Sequence, residues 1–104
     1  MTRISILYPS KPGHRFDVDY YLQVHMPMAA RLLGSAVKSI SIEIGVSGAI
    51  PGQPAPFAAI VGFVCDSAQS FGTAFTPVAA QLQGDIPNYT DIEPVIQVSE
   101  IREI

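Results

Sequence analysis

The chain has 104 residues, 48% of them hydrophobic and 14% charged, with a net charge of −3 and a pI near 5.1. That is one domain, residues 1–104, too apolar to stay disordered and without the basic cluster that nucleic acid or an anionic membrane demands. No apolar run reaches the roughly 20 residues of a membrane span, no signal peptide is visible, and a lone cysteine, Cys65, fits a cytoplasmic protein.

The first element is a strand over Arg3 to Tyr8, rich in Ile, Leu and Tyr and stopped at Pro9; Pro9 to Arg15 forms a Pro/Gly loop. Asp17 then caps a helix with Asp19 in its first turn. Two apolar series recur along it at helical spacing, Tyr21, His25, Met28 and Leu32, and Leu22, Ala29 and Leu33, until Gly34 ends it. Val37 to Val46 alternates, with Ile40, Ile42 and Ile44 on one face and Ser39, Ser41 and Glu43 on the other, as a half-buried antiparallel strand does.

After a loop over Gly48 to Pro56, the strand Phe57 to Cys65 is apolar on both faces, which places it centrally with cover on each side. A second helix starts at Asp66 or Ser67, carries Phe71, Phe75, Val78 and Leu82 as its stripe, and closes at Gly84. A turn over Asp85 to Thr90 leads to an edge strand over Ile92 to Ile101.

The order is βαββαβ, an α+β sandwich of ferredoxin-like type with a four-stranded antiparallel sheet. A shift of 50 residues lays Pro27 on Pro77, Leu32 on Leu82 and Gly34 on Gly84, a weak internal repeat matching the pseudo-twofold organisation of that fold. Right-handed crossovers put both helices on one face. The other face then needs cover, and a second copy of the chain, a homodimer, is the economical source.

His25 is the sharpest chemical candidate. It lies on the apolar side of the first helix, two residues before Pro27, which removes an N–H and frees the Gln23 carbonyl to orient the ring. Spacing alone favours a buried structural histidine; against it, the repeat places Phe75 where His25 stands, so the polar group belongs to one half only. Asp85 and Tyr89 in the following turn offer an acid and a phenol, though Asp, Asn and Pro are ordinary turn formers. Tyr8, Tyr21 and Phe63 are the candidates for lining a substrate pocket, and Tyr20 is a further aromatic that packing alone would explain. Glu43, Glu93 and His14 read as solvated and Cys65 as inert packing. Two isolated histidines and one cysteine lack the spacing of a metal site, and no phosphate-binding loop or nucleophile elbow is present.

Three segments in order, LYP at Leu7 to Pro9, FDVDYYLQVHMP at Phe16 to Pro27 and GDIPNYTDIEPVIQVSEI at Gly84 to Ile101, resemble the EthD family, named for proteins linked to ethyl tert-butyl ether degradation. The resemblance implies a dimeric α/β barrel, in which ferredoxin-like protomers pack sheet on sheet. The wider superfamily includes cofactor-free monooxygenases, isomerases and cyclases. By position, the histidine of the HMP segment is His25 and the polar turn is Asp85 with Tyr89. The expectation is a cofactor-independent enzyme acting by proton transfer or oxidation on a small apolar organic molecule. The alternative is a non-catalytic carrier beside a partner oxidase. Fold analogy cannot choose between them.

Overall fold

The structure, a computed structural model, describes all 104 residues. Strands β1 (Thr2–Pro9), β2 (Val37–Ile44), β3 (Phe57–Cys65) and β4 (Val95–Glu100) form one antiparallel sheet in the order β2-β3-β1-β4. Helix α1 (residues 18–33) connects β1 to β2, and helix α2 (residues 68–85) connects β3 to β4. This is the ferredoxin-like α+β architecture read from the sequence.

The register sorts the side chains into layers. Ile4 and Phe63 pair, as do Ile6 with Val61 and Tyr8 with Ala59, and these residues face the helices. Ile4, Tyr8, Ala59, Val61, Phe63 and Cys65 are buried there, so β1 and β3 carry the core as central strands do. On the opposite face, pairing aligns Glu43, Ile60, Leu7 and Val95 in one row and Ser41, Gly62, Ser5 and Gln97 in the next. The open face is thus apolar along one row and polar along its neighbour.

Local chemistry sets the boundaries. Asp17 caps α1, its carboxylate accepting from the Tyr20 N–H, and Gly34 ends it at a φ of 60°, where a glycine carries no Cβ penalty. Ser67 caps α2 in a reciprocal pair with Ser70. Strand β2 stops at Ile44, two residues short of the expected Val46; Gly45 follows it, where any Cβ would meet the Phe57 carbonyl. Strand β4 starts at Val95 rather than Ile92: Pro94 has no N–H for the ladder, and Ile92 turns into the core instead.

Both helices are interrupted at their prolines. In α1 residues Tyr21–His25 form a π turn, closed by the Met26 N–H on the Tyr21 carbonyl, and α-helix resumes over Met26–Leu33. Pro27 therefore does not break the helix; the wider turn precedes it. The extra residue also shifts the buried stripe by one. Tyr21 and His25 are buried at the two ends of the π turn, and Met26, Ala29 and Leu33 after it, so neither apolar series of the sequence is followed throughout. In α2 a short 3₁₀ turn, Thr76–Val78, sits at Pro77. The repeat fails at the far end. Gly34 stops α1, but α2 runs through Gly84 to Asp85 and into a 3₁₀ turn, Ile86–Asn88, so the expected turn is the helical end of α2.

Candidate active site

The extension of α2 past Gly84 delivers Asp85 to α1. Asp85 Oδ2 lies 2.9 Å from His25 Nδ1, with both side chains largely buried. On its other oxygen Asp85 accepts from the Tyr20 hydroxyl at 2.6 Å and the Asn88 amide at 2.9 Å. Burial pushes the Asp85 carboxyl up, but the hydrogen bonds from Tyr20, Asn88 and His25 outweigh it and hold the group below its ordinary value. An ionised carboxylate only accepts, so in the neutral ring the His25 proton sits on Nδ1 and Nε2 keeps its lone pair. The ring is thus oriented by Asp85, not by the Gln23 carbonyl expected from Pro27: the carboxylate is the acceptor that meets Nδ1.

Nε2 faces the Tyr89 hydroxyl at 3.5 Å, a long contact that leaves its acceptor capacity largely unused. Tyr89 in turn shares a 2.8 Å hydrogen bond with the Tyr8 hydroxyl. Burial raises the phenols of Tyr8, Tyr21 and Tyr89, so all three remain protonated donors at neutral pH. The row Asp85, His25, Tyr89, Tyr8 therefore runs from a fixed anion to buried hydroxyls. Tyr21 lies nearly parallel to the imidazole at 5.6 Å and Tyr89 tilts against it at 4.6 Å, the two tyrosines touching each other at 4.9 Å, so the three rings form one compact cluster.

A clamp holds the two helix ends together. The Arg15 guanidinium donates to the Pro87 carbonyl at 2.7 Å, placing a cation at the C-terminal end of α2. The Arg15 N–H and His14 both bond Asp91, at 2.8 and 3.2 Å, and the Thr90 hydroxyl donates to the Arg15 carbonyl at 2.6 Å. His14 is therefore paired rather than freely solvated.

A cavity of about 140 Å³ opens between the helices and the sheet. Tyr8, His25 and Tyr89 stand along one wall, Phe63 and Phe75 along others, and Gln83, Pro94 and Ile96 lie toward solvent. Phe75, the repeat counterpart of His25, lines the same space as His25 itself. Of the sequence candidates the structure brings His25, Tyr8, Tyr89 and Phe63 to the cavity; Asp85 stands behind His25, and Tyr21 packs behind the ring without lining it. Asn88 and Tyr20 complete the carboxylate's shell, and sequence reading gave neither that role. Each lies on one turn of helix with Asp85 or Asp17, but the Tyr20 contact spans 65 residues and has no local signal. No three His, Cys, Asp or Glu side chains gather as metal ligands, and no Lys or Arg lines the cavity.

Fold and site together define a ferredoxin-like domain of the dimeric α/β-barrel class with an Asp–His pair beside an apolar cavity. The chain belongs to the EthD family: the EthD domain model matches residues 13–93. Among solved structures it is similar to an EthD-like protein from Ralstonia eutropha JMP134, with 44% identity, 95% of this chain and 89% of that one covered, and a TM-score of 0.91. It is also similar to an ethyl tert-butyl ether degradation (EthD) family protein from Bacillus halodurans C-125, at 13% identity, 98% and 99% coverage and a TM-score of 0.67. A protein from Arabidopsis thaliana follows at 12% identity, 100% and 98% coverage and a TM-score of 0.70; at such identities the likeness concerns the fold alone. No curated protein is significantly similar to the chain. No helix is long and apolar enough to cross a membrane.

Proposed function

We propose that the protein is an enzyme that moves a proton on a small, mostly apolar, oxygenated molecule, with His25 as the general acid and base. The observation that carries this reading is the Asp85–His25 pair: the carboxylate at 2.9 Å fixes Nδ1–H and leaves Nε2, the basic atom, beside the cavity. In the step, Nε2 takes a proton from an acidic C–H or O–H of the substrate. The bonding pair stays on the substrate and shifts onto its oxygen, where the Tyr89 phenol donates a hydrogen bond. The imidazolium is held by Asp85, and its proton returns to another substrate atom, or to a departing hydroxyl. Isomerisation, cyclisation and dehydration share that step. The pair stands on a homodimer scaffold, with the row Ile60, Leu7 and Val95 covered by the second copy.

The second reading, a non-catalytic carrier for a partner oxidase, rests on the cavity being walled mostly by apolar side chains, which retention alone would require. The two separate on turnover without any partner. Purified protein is incubated in D₂O with a panel of small ketones and enols, and deuterium uptake is followed by mass spectrometry. Exchange that disappears in His25→Ala supports the enzyme. Ligands that bind but neither exchange nor turn over, in wild type as in the variant, leave the carrier.

A further inference from the structure

The cavity specifies more about its ligand than size. Its volume of about 140 Å³ is close to the ~150 Å³ engineered cavity that accommodates benzene, so the enclosed part holds one six-membered ring, not a fused skeleton. Its lining contains no Lys or Arg, and the one fixed charge nearby is the Asp85 carboxylate, held ionised behind His25. An anionic ligand would find no Lys or Arg to pair with and would lie against a like charge. The ligand head is therefore neutral.

The polar wall then selects the functional group. Tyr8 and Tyr89 have two hydroxyl protons between them and spend one in their mutual 2.8 Å bond. With Tyr8 as the donor in that bond, the second proton, on Tyr89, faces His25 Nε2 across a 3.5 Å gap too long for a strong bond. A ligand oxygen set about 2.8 Å from both Tyr89 Oη and Nε2 closes that gap, since O–H hydrogen bonds are shortest near that length. It must accept from the phenol and donate to the imidazole. A hydroxyl does both; a ketone or ether oxygen accepts only and cannot by itself bridge the two groups.

We infer that the cavity takes a neutral alcohol, phenol or enol whose enclosed part is of single-ring size, its hydroxyl bridging Tyr89 Oη and His25 Nε2. The inference rests on reading this cavity as the ligand site and deepens the proposed function by naming its substrate class. A longer substrate leaves its remainder between Gln83, Pro94 and Ile96, at the solvent side.

The test is a calorimetric titration of the full chain at pH 7.5 with four probes of similar size: phenol, toluene, anisole and benzoate. Phenol should bind at least about 10-fold tighter than toluene and anisole, because a site built to hydrogen-bond a hydroxyl rejects analogues lacking it. Benzoate should bind at least about 10-fold weaker than phenol. In Tyr89→Phe the preference for phenol over toluene should fall to about 2-fold or less. Because Tyr89 is fully buried and its loss risks unfolding, the wild type supplies an independent readout: phenol, but not toluene, should shift the ¹⁵N resonance of His25 Nε2. Equal affinity for phenol and toluene overturns the hydroxyl bridge, benzoate binding as tightly as phenol overturns the charge argument, and no binding of any probe overturns both. Binding is read without turnover, so the ligand preference can hold for a carrier, and loss of deuterium exchange alone would sink the enzymatic reading only.

Discussion

His25 Nδ1 and Asp85 Oδ2 meet at 2.9 Å although sixty residues separate them in the chain. The contact exists because α2 continues through Gly84 while the clamp of Arg15 on the Pro87 carbonyl draws its end onto α1. The pair fixes a tautomer, and that is what Asp85→Asn should undo. An asparagine can turn its amide toward Nδ1 and donate, which moves the ring proton to Nε2 and removes the base. The expected result is a loss of activity on the order of 10²–10⁴-fold, measured at a temperature where the variant remains folded. Imidazole ¹⁵N spectra check the cause directly: wild type should show Nδ1–H, and the variant a mixture or the reverse.

Tyr20 is a positioning residue in this scheme. Its hydroxyl donates to Asp85 at 2.6 Å without lining the cavity. Tyr20→Phe removes one of the hydrogen bonds that depress the Asp85 carboxyl, leaving Asn88 to hold the same oxygen. We expect kcat to fall by up to about tenfold with KM unchanged, as for a lost charge-assisted hydrogen bond outside the binding surface. The acid limb of the pH–rate profile should also move upward. A pure packing role for Tyr20 would leave that limb where it is.

Much of this frame is local and was therefore legible. Asp17, Gly34 and Ser67 mark helix ends through side chains or backbone freedom acting within one turn, alternation marks β2, and apolar runs mark β1 and β3. His25 stood out for being polar on an apolar stripe. What escaped was whatever depended on helix continuity or distant pairing. Gly84 looks like Gly34 in sequence, yet α2 passes through it because the residues beyond it find partners on α1 and on the loop before it. Met26 looks like a solvent-side residue until the π turn adds a residue and rotates it inward. Tyr20 and Asn88 gain their role from a carboxylate that only the folded chain brings between them.

Acid should expose the carboxylates. Asp85 has a folded-state pKa below its unfolded value, so its stabilisation is complete above about pH 4 and is lost as the pH falls through the lower folded value. Asp91, depressed first by the Arg15 N–H and also by His14, acts in the same direction. Thermal melts from pH 7 downward should therefore be flat in these two terms to about pH 4 and fall below it. Asp85→Asn should start lower and fall less steeply in that acid window. A slope below pH 4 identical to wild type would show that Asp85 is not held ionised by its neighbours.

Filling the cavity should separate binding from folding. Ala29 is buried at 3% exposure and lines the cavity from α1, one turn beyond His25. Ala29→Leu adds three carbons to space that is otherwise empty of protein. The substitution should keep the melting temperature within a few degrees or raise it, because cavity filling in a site with room adds contacts without strain. Phenol binding should be lost or weakened at least about tenfold. A variant that binds phenol normally would place the ligand elsewhere.

The open sheet face makes the last prediction, the homodimer. Pairing puts Ile60, Leu7 and Val95 side by side on three adjacent strands, with Val95 54% exposed in the single chain. A contiguous apolar row across three strands of an uncovered face is the pattern of an interface rather than of solvent-facing sheet. The edges β2 and β4 also leave backbone N–H and C=O groups free for a partner. Leu7 is the middle of the row, so Leu7→Glu places two carboxylates near the symmetry axis of any self-complementary packing. There they have neither water nor a counterion, and the cost of burying them exceeds what one lost leucine explains. Light scattering should give wild type twice the 11.1 kDa chain mass, and the variant one chain mass with its circular dichroism retained. A wild-type mass of one chain at micromolar concentration would remove the dimer, and a dimer that survives Leu7→Glu would move the interface off this face.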